Sequence, residues 1–448
     1  MKNIRLTRNP YLLFSPFLLF YIVVVLLLQS NIFWGDELSY LTQAQNILHG
    51  FYSPPAPNIQ LRNGPGYPII LVPFVALHVS LVYIKLLNAF FLYLSIVFLF
   101  KALIQMVSFR KALIAGLFWG CYYNALDFIF MLYSEVFTVF LVTVLVYFLI
   151  KAFDAVDLKK SKKYIYGSGF ILGYIVLTKV IFGYVLLFML IGSALLWLIN
   201  RHAANYKRGI IILFVAFATV IPYLSYTYYL TGRVFYWSTT GGNNLYWMSG
   251  LAEEEYGSWF PDPATVGYTG IPLVNGKEET QQGGQLNLKN RTIYTPGAAD
   301  SIKLHHQKYF EEINKYTGVE RDDAYKRVVM ENIKSHPGKF IKNCISNIGR
   351  ILFNYPYSYT PQKPGTLFRL PLNGILVVLI LFCLVPTFLN WQRIIYPLRF
   401  LLFIALLYLG GSIFGSAEIR MFTVIVPILL VWIACIIQKS MKINLKFD

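Results

Sequence analysis

Asp36 and Glu37 stand side by side in Gly35-Asp36-Glu37-Leu38-Ser39-Tyr40, directly after the first long apolar run of the chain. A carboxylate fixed at a helix start can take a proton from a hydroxyl, which is general-base chemistry. The plain alternative is helix capping, with Asp36 as N-cap and Glu37 complementing the dipole. Arg62 opens the turn Arg62-Asn63-Gly64-Pro65-Gly66-Tyr67-Pro68. It is either a cation brought to a site or a side chain that snorkels to water. Glu135, after Tyr133-Ser134, opens another apolar run, where an acid in the first turn is the ordinary explanation. Glu418 and Arg420 are two residues apart, and on a helix that spacing points to different sides. A loop or a shared ligand suits the pair better.

These residues sit between long apolar segments. Of 448 residues, 56% are hydrophobic and 13% charged, about half the charge of a soluble domain. Runs of about 18 apolar residues match a bilayer core, and backbone in lipid must bond within its own segment, so the runs predict helices. The N-terminal run follows Lys2, Arg5 and Arg8. It is too long for a signal h-region and lacks a small-residue cleavage site, so it reads as the first span. The formal charge of +18 does not indicate nucleic acid, because about half of the bases lie in short loops between apolar runs. Cys121, Cys383 and Cys435 fall in those runs and Cys344 stands alone, so no zinc site or disulfide framework is expected.

Basic clusters mark the cytoplasmic side. They occur at Lys2/Arg5/Arg8, Lys101/Arg110/Lys111, Lys151/Lys159/Lys160/Lys162/Lys163, Arg201/Lys207/Arg208, Arg393/Arg399 and Lys439/Lys442/Lys446. About ten spans follow, near 11–30, 82–101, 112–126, 133–151, 164–180, 182–200, 209–230, 371–390, 397–415 and 421–438. Both termini are then cytoplasmic. The short, proline-interrupted run 66–79 is read as an interfacial or re-entrant helix on the outer face. The expected architecture is an all-α polytopic membrane protein with an extracytoplasmic mixed α/β insertion. Its parts are an N-terminal transmembrane region (1–230), the insertion (231–370) and C-terminal transmembrane helices (371–448). The first half of the insertion, through Gly242-Asn243-Asn244 and Gly283-Gly284, reads as loop with short strands. The second half reads as helices over 300–316 and 321–335, stopped at His336-Pro337-Gly338. A basic amphipathic stretch over 339–353 then lies on or near the membrane.

Outside the insertion, Asp36, Glu37, Asp127, Glu135 and Glu418 all map to outer ends of spans, level with Arg62, Lys85, Lys179 and Arg420. Charges at membrane depth are costly and usually mark a site, so these nine predict one polar chamber facing the outer leaflet. Gly167-Ser168-Gly169 and Gly173 fall within a span and read as close helix packing, not a phosphate loop. No Walker motif occurs, and no His/Cys cluster has metal-ligand spacing. His305-His306 reads as a solvated pair. Asn290-Arg291-Thr292 has the form of a glycosylation sequon.

An ordered set of short motifs now stands out: Asp36-Glu37, Arg62…Pro65-Gly66-Tyr67-Pro68, Ser134-Glu135, Leu177-Thr178-Lys179, Gly241-Gly242-Asn243-Asn244-Leu245-Tyr246, His336-Pro337 and Glu418-Ile419-Arg420. The set resembles the GT-C superfamily of membrane glycosyltransferases, in particular the protein O-mannosyltransferase-like group that includes aminoarabinose transferases of lipid A. It departs from that pattern at Gly64-Pro65, where Pro-Pro is usual, and at Glu418-Ile419-Arg420-Met421, where Glu-Arg-Tyr is usual. The resemblance implies transfer of a sugar from a polyprenyl-phosphate carrier to a lipid, glycan or protein acceptor on the outer face of the inner (plasma) membrane. In that scheme Asp36 is the base, and Glu37 orients it or binds sugar hydroxyls. Glu135, Asp127, Tyr40, Asn243 and Asn244 contact the sugar or acceptor. Arg62, Lys179, Arg420 and Glu418 attend the donor phosphate. No cofactor is required by any motif, and a divalent metal is left open. Three rival readings are a transporter or flippase of lipid-linked sugars, a non-catalytic partner of an envelope assembly complex that uses the insertion for protein contacts, and an envelope glycan polymerase or ligase.

Overall fold

The computed structural model describes residues 9–29, 33, 35–154, 158–199, 204–259, 298–359 and 364–440. Lys2, Arg5, Arg8, Arg201, Lys442 and Lys446, which carry part of the expected orientation, lie outside the described residues. So do Gly283-Gly284 and Asn290-Arg291-Thr292.

Each apolar run becomes a helix, since that alone satisfies its backbone without water. The first is α1 (Ser15–Leu28), followed by two helices that flank the charged motifs, α2 (Glu37–Leu48) and α3 (Gly66–Ala76). Next come α4 (Leu81–Leu103), α5 (Phe109–Gly120), α6 (Ser134–Asp154), α7 (Leu158–Thr178), α8 (Ile181–Ile199) and α9 (Ala204–Thr231). The insertion contributes α10 (Gly241–Met248), α11 (Ala298–Ile313), α12 (Gly318–Ser335) and α13 (Pro337–Phe353). The chain returns through α14 (Pro364–Leu389), α15 (Tyr396–Phe414) and α16 (Ile419–Ser440).

Among the described residues, six helices are long and apolar enough to cross a membrane: α4, α6, α9, α14, α15 and α16. The other four expected spans also form helices: α1 (14 residues) and α5 (12 residues) are shorter, α7 is more polar, and α8 is an apolar helix of 19 residues. The run expected as a span over 112–126 breaks after Gly120. Its twelve-residue helix rises only about 18 Å, short of a bilayer core of about 30 Å. The eleven residues of α3 rise about 16 Å, in keeping with a helix that does not cross.

α16 and α6 are the most enclosed of the six, and α14 the least. α7 lies along α9 at close range. A Cβ on Gly169 would sit 2.7 Å from the Ile212 carbonyl oxygen, and one on Gly173 equally close to that of Ala216. These glycines therefore serve helix contact, as their place in a span predicts.

The described part of the insertion consists of helices joined by loops. No strand occurs among the described residues, which corrects the expected mixed α/β character for 231–259 and 298–359. α10, α11 and α12 enclose a small aromatic core around Tyr246, Trp247, Phe310 and Tyr325. His306 is part of this buried unit and not a solvated residue: its ring bonds Tyr246 at 2.5 Å on one side and Glu255 on the other. His305 is the exposed member of the pair. α13 inverts the usual amphipathic arrangement. Ile341 and Ile345 face outward, while Asn343, Asn347 and Arg350 are buried.

Candidate active site

Gly35 turns the chain into α2 with a φ of +54°, and a Cβ there would lie 2.2 Å from the Tyr133 hydroxyl. Asp36 follows in helical conformation, and its side chain makes no capping bond. The carboxylate instead turns to two guanidinium groups. Its Oδ1 lies 2.9 Å from Arg62 Nη2 and its Oδ2 lies 3.1 Å from Arg420 Nη1. Capping therefore does not account for Asp36.

Arg62 arrives on a turn that the insertion helps to fix. Ser238 Oγ donates to the Arg62 carbonyl at 3.2 Å, and Thr239 N donates to that of Leu61 at 3.0 Å. The glycines of this turn allow close approach to the end of α7. A Cβ on Gly64 would fall 2.0 Å from the Leu177 carbonyl oxygen, and one on Gly66 would fall 2.6 Å from Thr178 Oγ1. The next residue is Lys179, whose Nζ meets Glu135 Oε1 at 2.8 Å. Glu135 stands in the first turn of α6 and is almost fully buried.

Arg420 joins these pairs. Besides Asp36, it lies 3.5 Å from Glu135 Oε1 through Nη1 and 3.1 Å from Glu418 Oε2 through Nε. Glu418 precedes α16, so its backbone is not helical and the two side chains can meet. The Arg420 guanidinium also rests over the Tyr133 ring, 5.4 Å from its centroid, a cation–π contact. Three acids and three bases therefore form one continuous network: Arg62, Asp36, Arg420, Glu418, Glu135 and Lys179. Arg62 and Glu418 are its exposed members, with side chains 47% and 39% accessible, against 15% for Asp36. Burial alone would raise the Asp36 carboxyl, but the charges of Arg62 and Arg420 outweigh it and hold the group at about 2.

Tyr40 borders the network. Its hydroxyl donates to Ser134 Oγ at 3.0 Å and its ring meets Tyr67 edge-on. The other expected members are placed elsewhere. Glu37 is fully buried, 3.3 Å from Lys85 Nζ, and its Oε1 also accepts the Leu132 amide at 2.7 Å. It thus ties α2 to the strand of chain that leads into Tyr133, Ser134 and Glu135. Asp127 pairs with Arg369 of α14, beside Asn124 and Asn373. Asn243 and Asn244 occupy the first turn of α10, just beyond the Ser238–Thr240 segment that holds Arg62; a buried oxygen of Asn243 has no hydrogen-bond partner. The nine charges expected in a single chamber thus fall into three places: six form the network, Glu37 and Lys85 form a pair, and Asp127 stands apart with Arg369, which was not among the nine.

Tyr133 and Ser134 belong to the site although only their neighbour Glu135 was a candidate. Their aromatic and hydroxyl character at an outer span end was the available signal. Among the described residues, no group of three or more His, Cys, Asp or Glu side chains could hold a metal ion. Every carboxylate of the network instead faces a base.

No protein-family model matches the sequence, and no curated protein matches it. Solved structures do show a resemblance. The oligosaccharyltransferase of Archaeoglobus fulgidus, crystallised with a tethered acceptor peptide, aligns over 95% of this chain with a TM-score of 0.47 and 13% identity. This chain covers 49% of that enzyme, about half its length. ArnT from Cupriavidus metallidurans, bound to undecaprenyl phosphate, aligns over 95% of this chain and 77% of its own, with a TM-score of 0.41 and 13% identity.

Proposed function

We propose that this chain is a glycosyltransferase that moves a sugar from a polyprenyl-phosphate carrier to an acceptor on the outer face of the inner membrane, with Asp36 as general base. The observation that carries the proposal is Asp36 itself, a mostly buried carboxylate held between Arg62 and Arg420 at 2.9 and 3.1 Å. A base next to cations is what transfer from a phosphate-linked donor requires. The acceptor oxygen bonds to the anomeric carbon while the bond from that carbon to the phosphate oxygen breaks. The electron pair leaves with the phosphate, and the acceptor proton passes to Asp36. The phosphate is already a good leaving group, so cations matter more than a strong acid.

The network is electrically balanced without substrate, so the donor phosphate competes with the carboxylates for the guanidinium groups. Glu418 is the acid placed to give way, being the most exposed of the three. As Arg62 and Arg420 turn to the phosphate, Asp36 loses the charges that hold its basicity down. Donor binding thereby prepares the base. Lys179 and Glu135 fix the far side of the network, and Tyr40 and Ser134 border the sugar. Asn243 and Asn244 approach from the insertion. Glu37 acts at a distance, holding Asp36 and Glu135 in register through α2 and Leu132. In this reading both termini are cytoplasmic, and the network opens to the outer aqueous side.

The test is sugar transfer in membranes supplied with polyprenyl-phosphate-linked sugars and envelope acceptors. Wild-type protein should form a new glycosidic bond and Asp36→Asn should not, at equal expression. Movement of the lipid-linked sugar across the bilayer without any new bond would overturn the proposal in favour of a transporter.

A further inference from the structure

The buried face of α13 carries Asn343, Asn347 and Arg350, and the last two reach the chain that leads from α15 into α16. Asn347 Nδ2 donates to the carbonyl oxygens of Ser412 at 3.0 Å, Ile413 at 2.9 Å and Gly415 at 2.7 Å. Its Oδ1 accepts the Ala417 amide at 3.1 Å and Arg350 Nη2 at 2.6 Å. Arg350 is fully buried, and among the described residues no carboxylate forms an ion pair with it. A buried guanidinium is costly unless its donors are used. Here Nε goes to Ala417 O at 3.1 Å, and Nη1 goes to Tyr256 O at 2.8 Å and Pro356 O at 3.0 Å.

The segment so fastened joins α15 to α16. It supplies the last carbonyls of α15, which helix geometry leaves without partners, and it ends one residue before Glu418. Arg420 follows in the first turn of α16, so the height and direction of its guanidinium depend on where Ala417 is held. Charged groups at a reaction centre need placement to about 0.5 Å.

Resting on the reading of Arg420 as a phosphate-binding residue, we propose that Asn347 and Arg350 are positioning residues that set Arg420 against Asp36 and the donor phosphate. The same guanidinium joins the Tyr256 and Pro356 loops of the insertion to Ala417. The insertion is therefore coupled to the reaction centre through hydrogen bonds to main-chain carbonyls.

The helix supplies its own control. Asn343, one turn earlier, is also buried and also donates to two carbonyls, those of Met248 and Gly250, both at 3.0 Å. These belong to the insertion, not to the Arg420 loop. Binding of undecaprenyl monophosphate to the full chain in lipid nanodiscs is to be measured for wild type, Asn347→Ala, Asn343→Ala and Arg420→Gln, with unfolding temperature recorded for each. Asn347→Ala should weaken binding about fivefold or more, Arg420→Gln should weaken it at least as much, and Asn343→Ala should leave it within about twofold while lowering the unfolding temperature comparably. Equal losses for the two asparagine variants would reduce Asn347 to a structural role and overturn the inference. If Arg420→Gln binds as wild type, or wild type does not bind, the functional reading itself fails. Should Asn347→Ala not accumulate, Asn347→Ser is compared with Asn343→Ser by the same criterion.

Discussion

Arg420 Nη1 meets Asp36 Oδ2 at 3.1 Å across 384 residues of sequence. The contact joins the start of α2 to the start of α16, and through it two segments that share no sequence pattern become one site. Its immediate consequence concerns Asp36. With the carboxylate removed, proton transfer from the acceptor loses its base, and general-base contributions run to about 10²–10⁴-fold. Asp36→Asn should therefore lower kcat for sugar transfer by about that factor. Donor KM should change little, and the amount of protein in the membrane should equal wild type.

Arg62 governs the pH response. Asp36 has its folded-state pKa lowered to about 2, so the base form is present above that pH and is lost only as pH falls through it. Removing one of the two guanidinium groups raises that pKa, since an adjacent cation lowers a carboxyl by about 1–3 units. In Arg62→Gln, the acid limb of kcat/KM should move upward by about one unit or more. An unmoved limb would separate Asp36 from the titrating group.

Glu37 and Lys85 should behave as a structural pair. Both side chains are fully buried and lie 3.3 Å apart. Removing one partner leaves an uncompensated buried charge, at a cost of about 3–5 kcal/mol. Lys85→Met should therefore lower the unfolding temperature of the detergent-solubilised protein sharply. The double variant Glu37→Gln, Lys85→Met should recover much of the loss.

Gly64 tests whether the close approach of the Arg62 turn to α7 matters. A methyl group there meets the Leu177 carbonyl oxygen at 2.0 Å, and that atom is main chain. Gly64→Ala should cost about 1–3 kcal/mol of stability. It should also raise donor KM, because the turn and Lys179 are pushed apart together. Gly192→Ala, which meets nothing within 4 Å inside α8, should leave donor KM unchanged and cost no stability.

Much of the fold could be read from apolar run length, because lipid leaves the backbone no other way to satisfy itself. The breaks were harder to read. Cys121 and Tyr122 end α5 inside a stretch as apolar as its neighbours, and composition carries no sign of that turn. In the site, the strays against the positive-inside rule led to Lys179 and Arg420, since a cation on the outer side needs a reason. The same rule could not divide the nine charges into separate groups. Lys85 lies within α4 and Asp127 beside α14, and only packing decides which acid each base meets. Asn347 and Arg350 escaped notice for a related reason. Their partners are main-chain carbonyls, which are the same in every sequence.

The long sequence interval between Asp36 and Arg420 also has a temporal meaning. At ribosomal rates of about 5–20 residues per second, the 384 residues between them take roughly 20 to 80 s to make. Glu135 waits only 44 residues for Lys179, and Asp36 only 26 for Arg62. The nascent chain thus acquires its local charge pairs early and the one that closes the centre late. A polypeptide interrupted just before residue 420 would carry every other member of the network, Glu418 included, yet have no means of joining them, so competence arises only once Arg420 has been made.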